Sequence, residues 1–191
     1  MKRFLFTIFL LGALSPLAAQ LYHPGEQLFY RVSYKAKMFP NTEVGTVEVK
    51  TSEDTADGKS YYKVEGAGRT LPTYRWFFNL RSAQAENFRV GEPATLQMVL
   101  QDTIRHLHYR YLGRENKKIR NMGRFRTLKF ECQLGTTEGY SFTDGTIFTI
   151  WISDDDNKIP LYIESPVKVG SINAYISGYK GLKYPVSSLM K

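Results

Sequence analysis

The segment Thr146-Ile147-Phe148-Thr149-Ile150-Trp151-Ile152 carries apolar side chains on both faces of a predicted β-strand. Phe148, Ile150 and Ile152 fall on one face, because successive side chains of a strand point to opposite sides. Ile147 and Trp151 fall on the other face. A strand that is apolar on both faces has to be covered on both. We therefore expect this strand to be the most buried one of the protein.

Alternation of apolar and polar residues marks further strands on either side of this segment. Each of them is apolar on one face only, which is typical of half-buried strands. Aromatic residues make up 14% of the chain, a composition that also favours strands over helices. The alternating stretches are Leu28–Lys35, Thr46–Lys50, Leu96–Gln101, Leu128–Leu134 and Ser171–Ser177.

Turn signals separate the predicted strands at short intervals, which favours antiparallel hairpins within a single domain. A sheet of this size has to curl or split, because strand twist accumulates. Two places suggest helix, Leu71–Phe78 and the tail after Pro185, and we expect this tail to be frayed. The turn signals are Asp57-Gly58, Gly91-Glu92-Pro93, Gly113-Arg114-Glu115-Asn116, Asp144-Gly145, Asp154–Asn157 and Gly170-Ser171.

The N-terminus has the pattern of an export signal. Lys2 and Arg3 precede an apolar run from Phe4 to Leu14, and the small residues Ala18-Ala19 follow. This run is far shorter than the roughly 20 residues that span a bilayer as a helix. We expect residues 1–19 to be cleaved, leaving a single all-β domain of residues 20–191 with no transmembrane segment. The predicted location is the periplasm or the cell envelope.

Basic residues dominate the segment from Arg105 to Lys129, in which Glu115 is the one acidic residue. Basic and aromatic residues together can bind nucleic acid, but an exported chain would not ordinarily meet it. Lipid phosphate or an acidic polysaccharide is a better partner for this stretch, and the formal net charge of +8 agrees with an anionic partner. The simpler interpretation is a solvated hairpin that its charge keeps soluble.

Several motifs allow a chemical interpretation beside a structural one. His106 and His108 point the same way on a predicted strand and are weak metal candidates, because a third ligand beyond His23 is not evident. Asp154–Asn157 lacks the ligand spacing of a calcium loop and is better explained as a hairpin turn. Cys132, the single cysteine, falls on an apolar face and is expected to be an inert core thiol. No catalytic residue and no cofactor is assigned.

The chain resembles the bacterial family known as "domain of unknown function 3108". The resemblance is strongest in the W-x-S-D-D-x-N-x-I-P stretch from Trp151 to Pro160 and extends to Gly25–Tyr34, Trp76-Phe77-Phe78, Val169–Ile172 and Gly178–Leu182. It implies an exported envelope protein of Gram-negative bacteria, with a large antiparallel meander curled into a barrel-like or half-barrel shape. It supplies no catalytic residues. Relatives are longer between Tyr111 and Gly123, which puts any pocket built from that piece in doubt.

The leading functional hypothesis is a non-enzymatic envelope protein that binds an apolar or amphipathic ligand, such as a lipid or an envelope polysaccharide. The apolar Trp76-Phe77-Phe78 segment either plugs one end of the sheet or lines a pocket. The alternatives are a structural or assembly partner of an outer-membrane protein complex, with Tyr-rich faces for docking, and a hydrolase of an envelope polymer. The candidate ligand contacts are Trp76, Phe78, Tyr109, Arg110, Arg124 and Trp151.

Overall fold

The computed structural model describes residues 4–9, 22–36, 39–56, 59–68, 88–100, 103–134 and 147–191. These residues form 11 strands of a single sheet, and none of them is helical. The helix considered at Leu71–Phe78 lies outside the described residues. The strands are β1 Phe4–Phe9, β2 Gln27–Ala36, β3 Phe39–Ala56, β4 Lys59–Gly68, β5 Pro93–Leu100, β6 Thr103–Ile119, β7 Gly123–Leu134, β8 Ile147–Ser153, β9 Pro160–Pro166, β10 Ser171–Lys180 and β11 Leu189–Met190.

The strands follow the order β1-β4-β3-β2-β10-β9-β8-β7-β6-β5, and β11 adds to β7. All of these pairings are antiparallel. The predicted all-β antiparallel meander is therefore confirmed. The order ends at β1 and β5, which are not hydrogen-bonded to each other. The described strands thus form an open sheet, and the predicted barrel-like closure is not confirmed.

The predicted turns at Gly91, Asp154–Asn157 and Gly170 lie between strands, as expected. The turns predicted at 57–58 and 144–145 fall outside the described residues. The turn predicted at Gly113–Asn116 is wrong, because β6 continues to Ile119. The register of β6 against β7 shifts between Tyr111 and Gly113, and Gly113 has a φ of 110°. The glycine therefore serves a β-bulge rather than a chain reversal.

One face of the sheet, here called the core face, is packed with apolar side chains. Five directly paired residues form a row across it: Phe130, Ile150, Ile163, Ala174 and Val32. Directly paired residues of antiparallel strands share a face. A second buried cluster joins other strands and the segment before β2. Its members are Tyr22, Leu28, Tyr30, Val49, Val64, Ile119, Phe125, Ile159, Leu161, Tyr175 and Ile176.

Strand β8 is buried from Phe148 onward, except at the half-buried Thr149. Ile150 and Trp151 point to opposite faces of the sheet, and both are buried. This confirms the prediction that β8 is covered on both sides. The prediction is wrong for Ile147, whose exposed fraction is 44%. Ile147 pairs with Gln133 of β7, but β9 pairs with β8 only from Thr149 onward. The start of β8 therefore has a neighbouring strand on one side only.

Strand β1 lies inside the segment that is predicted to be a cleaved leader. It pairs with β4 from Phe4 opposite Gly68 to Phe9 opposite Lys63. Cleavage after Ala19 would remove β1 and leave β4 at the edge of the sheet. Cleavage stays a prediction.

Among the described residues, no helix has the length and apolar character needed to cross a membrane.

The loop between β8 and β9 binds the C-terminal tail. Asp155 is buried. Its carboxylate accepts hydrogen bonds from the hydroxyl of Ser153 at 2.8 Å and from the hydroxyl of Ser188 at 2.6 Å. It also accepts hydrogen bonds from the backbone N–H groups of Asn157 and Ser188. The Asn157 side chain donates to the carbonyl oxygen of Tyr184 at 2.9 Å and accepts from the backbone N–H of the same residue. The expectation of a frayed tail is therefore wrong, because side chains of the polar loop form hydrogen bonds with Tyr184 and Ser188 of the tail.

Replacing Asp155 by Ala should lower the free energy of unfolding by about 3 kcal/mol, because several buried donors lose a charged acceptor. Urea unfolding of the two proteins measures the difference. The exposed neighbour Asp156 is the matched control, and Asp156→Ala should change stability by no more than about 0.5 kcal/mol. Equal effects of the two substitutions would show that the loop does not hold the tail.

Gly170, in the turn before β10, lies against the end of β2. Its φ is 91°, and an added Cβ would lie 2.1 Å from the carbonyl oxygen of Lys35. Gly91 has a similar φ of 85° with open space around it. Gly170→Ala should therefore cost about 3 kcal/mol and Gly91→Ala only about 1 kcal/mol, since both strain the backbone but one also clashes. Thermal unfolding compares them, and a cost at Gly91 equal to that at Gly170 would contradict the close approach.

Candidate functional site

The face opposite the core face carries a row of aromatic and cationic side chains. Its members follow each other directly across β7, β8, β9, β10 and β2: Lys129, Trp151, Tyr162, Tyr175 and Arg31. Each of them neighbours a core-face residue along its own strand and so points the other way. We define the polar–aromatic face as this row together with Glu115, Lys117, Glu164 and Asn173.

Lys117 lies over two rings of this face. Its Nζ atom is 3.4 Å from the centroid of the Trp151 ring and 4.3 Å from that of Tyr162. The two rings meet edge to face, with centroids 5.4 Å apart and an interplanar angle of 79°. Cations are attracted to the faces of such rings by the ring quadrupole. The β6–β7 hairpin therefore places an ammonium group on an aromatic pair contributed by β8 and β9.

Glu115 fixes the position of Trp151. Its carboxylate accepts a hydrogen bond from the indole Nε1–H of Trp151 and lies 3.5 Å from the Nζ atom of Lys129. Trp151 itself is only 4% exposed. A buried indole with a satisfied N–H has little freedom to move. The aromatic pair is thus a rigid base for the lysine above it.

Burial sets the electrostatics of this site. It lowers the pKa of the half-buried Lys117, although the carboxylates of Glu164 and Glu115 act in the opposite direction. Burial also raises the pKa of Tyr162 to about 12, and Glu164 adds to this shift. The ammonium group of Lys117 has lost part of its hydration without full compensation by its neighbours. It is therefore a favourable position for an additional negative charge.

Asn173 is a polar residue in the interior of the same face. It pairs with Glu164 on β9 and Ser33 on β2 and is only 2% exposed. Its Nδ2 atom donates to the hydroxyl of Ser171 at 3.2 Å, but its Oδ1 atom has no hydrogen-bond partner among the described residues. An unpaired buried acceptor costs about 1–3 kcal/mol. Asn173 therefore retains an unused acceptor in the interior of this face.

The structure separates the predicted ligand contacts. Tyr109 lies on the core face, where its ring centroid is 6.0 Å from that of Phe88. Arg110 pairs with Glu131 at 3.6 Å, and Arg124 is exposed at the end of the β6–β7 hairpin. Of these, Trp151 alone lies at the centre of the polar–aromatic face. Trp76 and Phe78 fall outside the described residues.

Sequence reasoning did not find Lys117, Glu115 or Tyr162. The alternation of β8 does indicate that Trp151 points away from the core face, and this could have drawn attention to its neighbours. Lys117 could not be distinguished from the other basic residues of its segment. It reaches Trp151 only through the pairing of β6 with β7 and of β7 with β8, and local sequence does not specify this register.

The weaker candidates have ordinary surroundings in the structure. His106 and His108 are both exposed, and the Nδ1 atom of His108 lies 2.9 Å from the Thr95 hydroxyl. Within the described part of the chain, no three His, Cys, Asp or Glu side chains are grouped so that they could hold a metal ion. Cys132 is buried in the core, and this burial raises its pKa. The prediction of a buried core thiol is confirmed.

The lowered pKa of Lys117 can be measured directly. After reductive methylation with ¹³C-formaldehyde, the Lys117 resonance, assigned with Lys117→Gln, should titrate below the ordinary lysine value of 10.5. The folded protein releases this proton at a lower pH than the unfolded chain does. Between the lowered pKa and 10.5, the unfolded chain therefore binds more protons, and the free energy of unfolding should increase with pH. Below the lowered pKa, this contribution of Lys117 to stability is lost. A Lys117 resonance that titrates at or above 10.5 would contradict the burial of its charge.

Comparison with known proteins places this chain in a family. A crystal structure described as a "putative lipoprotein" from Parabacteroides distasonis ATCC 8503 is similar to the chain, with a TM-score of 0.46, 10% identity and coverage of 83% of this chain and 96% of that one. No curated protein matches the chain. The family described as "Protein of unknown function (DUF3108)" matches residues 74–177, more than half of the chain, and confirms the resemblance seen in the sequence. The chain belongs to this family.

Proposed function

We propose that this protein is an exported, non-enzymatic binding protein of the cell envelope and that it holds an amphipathic ligand against its polar–aromatic face. The export signal predicted at residues 1–19 supports the location in the envelope or periplasm. The proposed ligand combines an anionic head group with an apolar part, as lipids of the envelope do.

The position of Lys117 is the observation that carries this proposal. Its ammonium group is half-buried on Trp151 and Tyr162, and its pKa is lowered by the loss of hydration. An anionic head group would replace this lost hydration with a charge-assisted hydrogen bond. The half-buried ring of Tyr162 would supply apolar contact for the remainder of the ligand. A site with both features favours an amphipathic molecule over a purely apolar one.

Packing on the core face supports placing the ligand on the opposite side. Phe88, Tyr111 and Phe130 contact each other there, with ring centroids 4.9 to 5.6 Å apart. Such close packing leaves the core face occupied by the protein's own side chains where these residues lie. On the polar–aromatic face, by contrast, the buried Oδ1 atom of Asn173 has no hydrogen-bond partner among the described residues, so a polar group that entered this face would find an unused acceptor.

The two alternative functions receive less support. Docking of an outer-membrane complex was predicted to use exposed, Tyr-rich faces, but every tyrosine whose side chain the structure describes is buried or half-buried. Hydrolysis of an envelope polymer needs a pair of titratable groups in a cleft. Among the described residues, Glu115 of the polar–aromatic face instead lies beside Lys129, and Glu131 of β7 lies beside Arg110. Both alternatives stay predictions.

Native mass spectrometry of gently extracted protein should show a bound amphiphile. With the delipidated protein and oleate as the anionic probe, Lys117→Gln should weaken binding about tenfold, the value of one charge-assisted hydrogen bond. Titration calorimetry measures the affinity, and far-UV circular dichroism confirms that the variant is folded.

Lys168→Gln is the control for this experiment, because Lys168 is exposed in the turn between β9 and β10 and belongs to neither the polar–aromatic face nor the end of the β6–β7 hairpin. It should leave the affinity for oleate unchanged. Extracted protein that carries no amphiphile, together with equal oleate affinities of Lys117→Gln and the unmodified protein, would refute the proposal. A single dominant protein partner in cellular cross-linking would favour the docking alternative instead.

A further inference from the structure

The end of the β6–β7 hairpin has two very different sides. Ile119 and Phe125 point to one side and are fully buried in the second apolar cluster. The chain reverses through Arg120 and Asn121, and the φ of 60° at Asn121 and of 107° at Gly123 makes this turn tight. The buried residues anchor the hairpin end, so the side chains on its other side have a fixed platform.

The other side of the hairpin end is cationic. Lys118 and Arg124 lie directly opposite each other in the register of β6 and β7, and Arg120 is in the adjoining turn. All three side chains are exposed, and none of them forms an ion pair with a described carboxylate. Like charges that face each other across two strands destabilise the sheet. This arrangement therefore has a cost in the isolated protein that an external anion would remove.

Other cations of the same hairpin do have partners. Arg114 lies 2.9 Å from Asp154, and Arg126 donates a hydrogen bond to the carbonyl oxygen of Ser187 at 2.6 Å. At the tip, by contrast, Lys118, Arg120 and Arg124 form a cluster of exposed positive charge without an ion pair to a described carboxylate. This cluster of exposed cations distinguishes the tip from the rest of the hairpin.

Exposed apolar side chains adjoin these cations. Strand β11 pairs Met190 with Arg124 and Leu189 with Phe125, and the two apolar residues are 38% and 39% exposed. Leu189 also approaches the hairpin turn closely, because an added Cβ on Gly123 would lie 3.0 Å from its Cδ1 atom. Lys191 follows them and is exposed. Directly paired residues share a face, so Met190 lies on the cationic side of the hairpin end and Leu189 on the side of Phe125. Cationic and apolar groups therefore share one end of the molecule, although not one face of it.

We infer that this end, formed by Lys118, Arg120, Arg124, Leu189 and Met190, docks on the surface of a bilayer that contains anionic phospholipids. The cations match the phosphate groups at the bilayer surface, and the two apolar side chains can enter the boundary between head groups and acyl chains. An acidic polysaccharide would satisfy the charges but would offer no apolar phase for Leu189 and Met190. The inference is independent of the ligand on the polar–aromatic face.

Vesicle co-sedimentation tests this surface. The protein should bind vesicles of phosphatidylcholine with about one third phosphatidylglycerol, but not vesicles of phosphatidylcholine alone, and high salt should weaken the binding. Replacing Lys118, Arg120 and Arg124 together by Gln should lower the partition coefficient on the order of 100-fold. The control with the same change of charge replaces the exposed Lys50, Lys168 and Lys180 by Gln and should lower it far less.

A second variant tests the apolar part of the surface and distinguishes a bilayer from a polymer. Leu189→Ser with Met190→Ser should reduce the binding that persists at high salt, because that portion depends on buried apolar area rather than on charge. Equal loss of binding in the two triple variants would overturn the inference. So would equal binding to neutral vesicles, or binding to soluble polygalacturonate that is tighter than binding to anionic vesicles. Circular dichroism confirms that each variant is folded.

Discussion

The pairing of β2 with β10 joins two parts of the sheet that are far apart in the chain. One part contains β2, β3 and β4 and the other runs from β5 to β10, and each is built mainly from neighbours in sequence. The row of core-face residues reaches Val32 only through its partner Ala174 on β10. The turn at Gly170 adds a close approach to Lys35 at the end of β2. Without this junction, the apolar faces of the two parts would not form one continuous core.

Coverage of the sheet on both faces gives the protein its candidate site. Along β8, Ile150 contributes to the core face and Trp151 to the polar–aromatic face. The core face is filled by apolar packing, whereas the other face buries Trp151 beside a lysine, a glutamate and an asparagine. Burial of charged and polar groups is costly unless they are paired. This face maintains such groups, with one acceptor unpaired among the described residues, and this is the basis of the proposed binding role.

The W-x-S-D-D-x-N-x-I-P stretch acquires a structural explanation from the tail. Ser153, Asp155 and Asn157 are all buried, and their side chains bind one another, the loop backbone and the segment from Tyr184 to Ser188. The sequence correctly predicts a hairpin turn here, because Asp and Asn accept hydrogen bonds from turn amides. It does not reveal that the same groups fix the C-terminus, and this is why the tail was expected to be frayed. The turn itself follows from the local sequence, whereas its contact with the C-terminal tail depends on the tertiary structure.

Sequence alone determined that this is an antiparallel all-β chain, where most strands lie, which face of each is apolar, and the family to which the chain belongs. These features follow from the period of two residues along a strand, which needs no knowledge of the partner strand. Tertiary structure alone decided the strand order, the open sheet, the bulge at Gly113 and the position of Lys117 over Trp151. Each of these depends on register between distant segments, and register is set by the packing of the whole sheet rather than by local sequence.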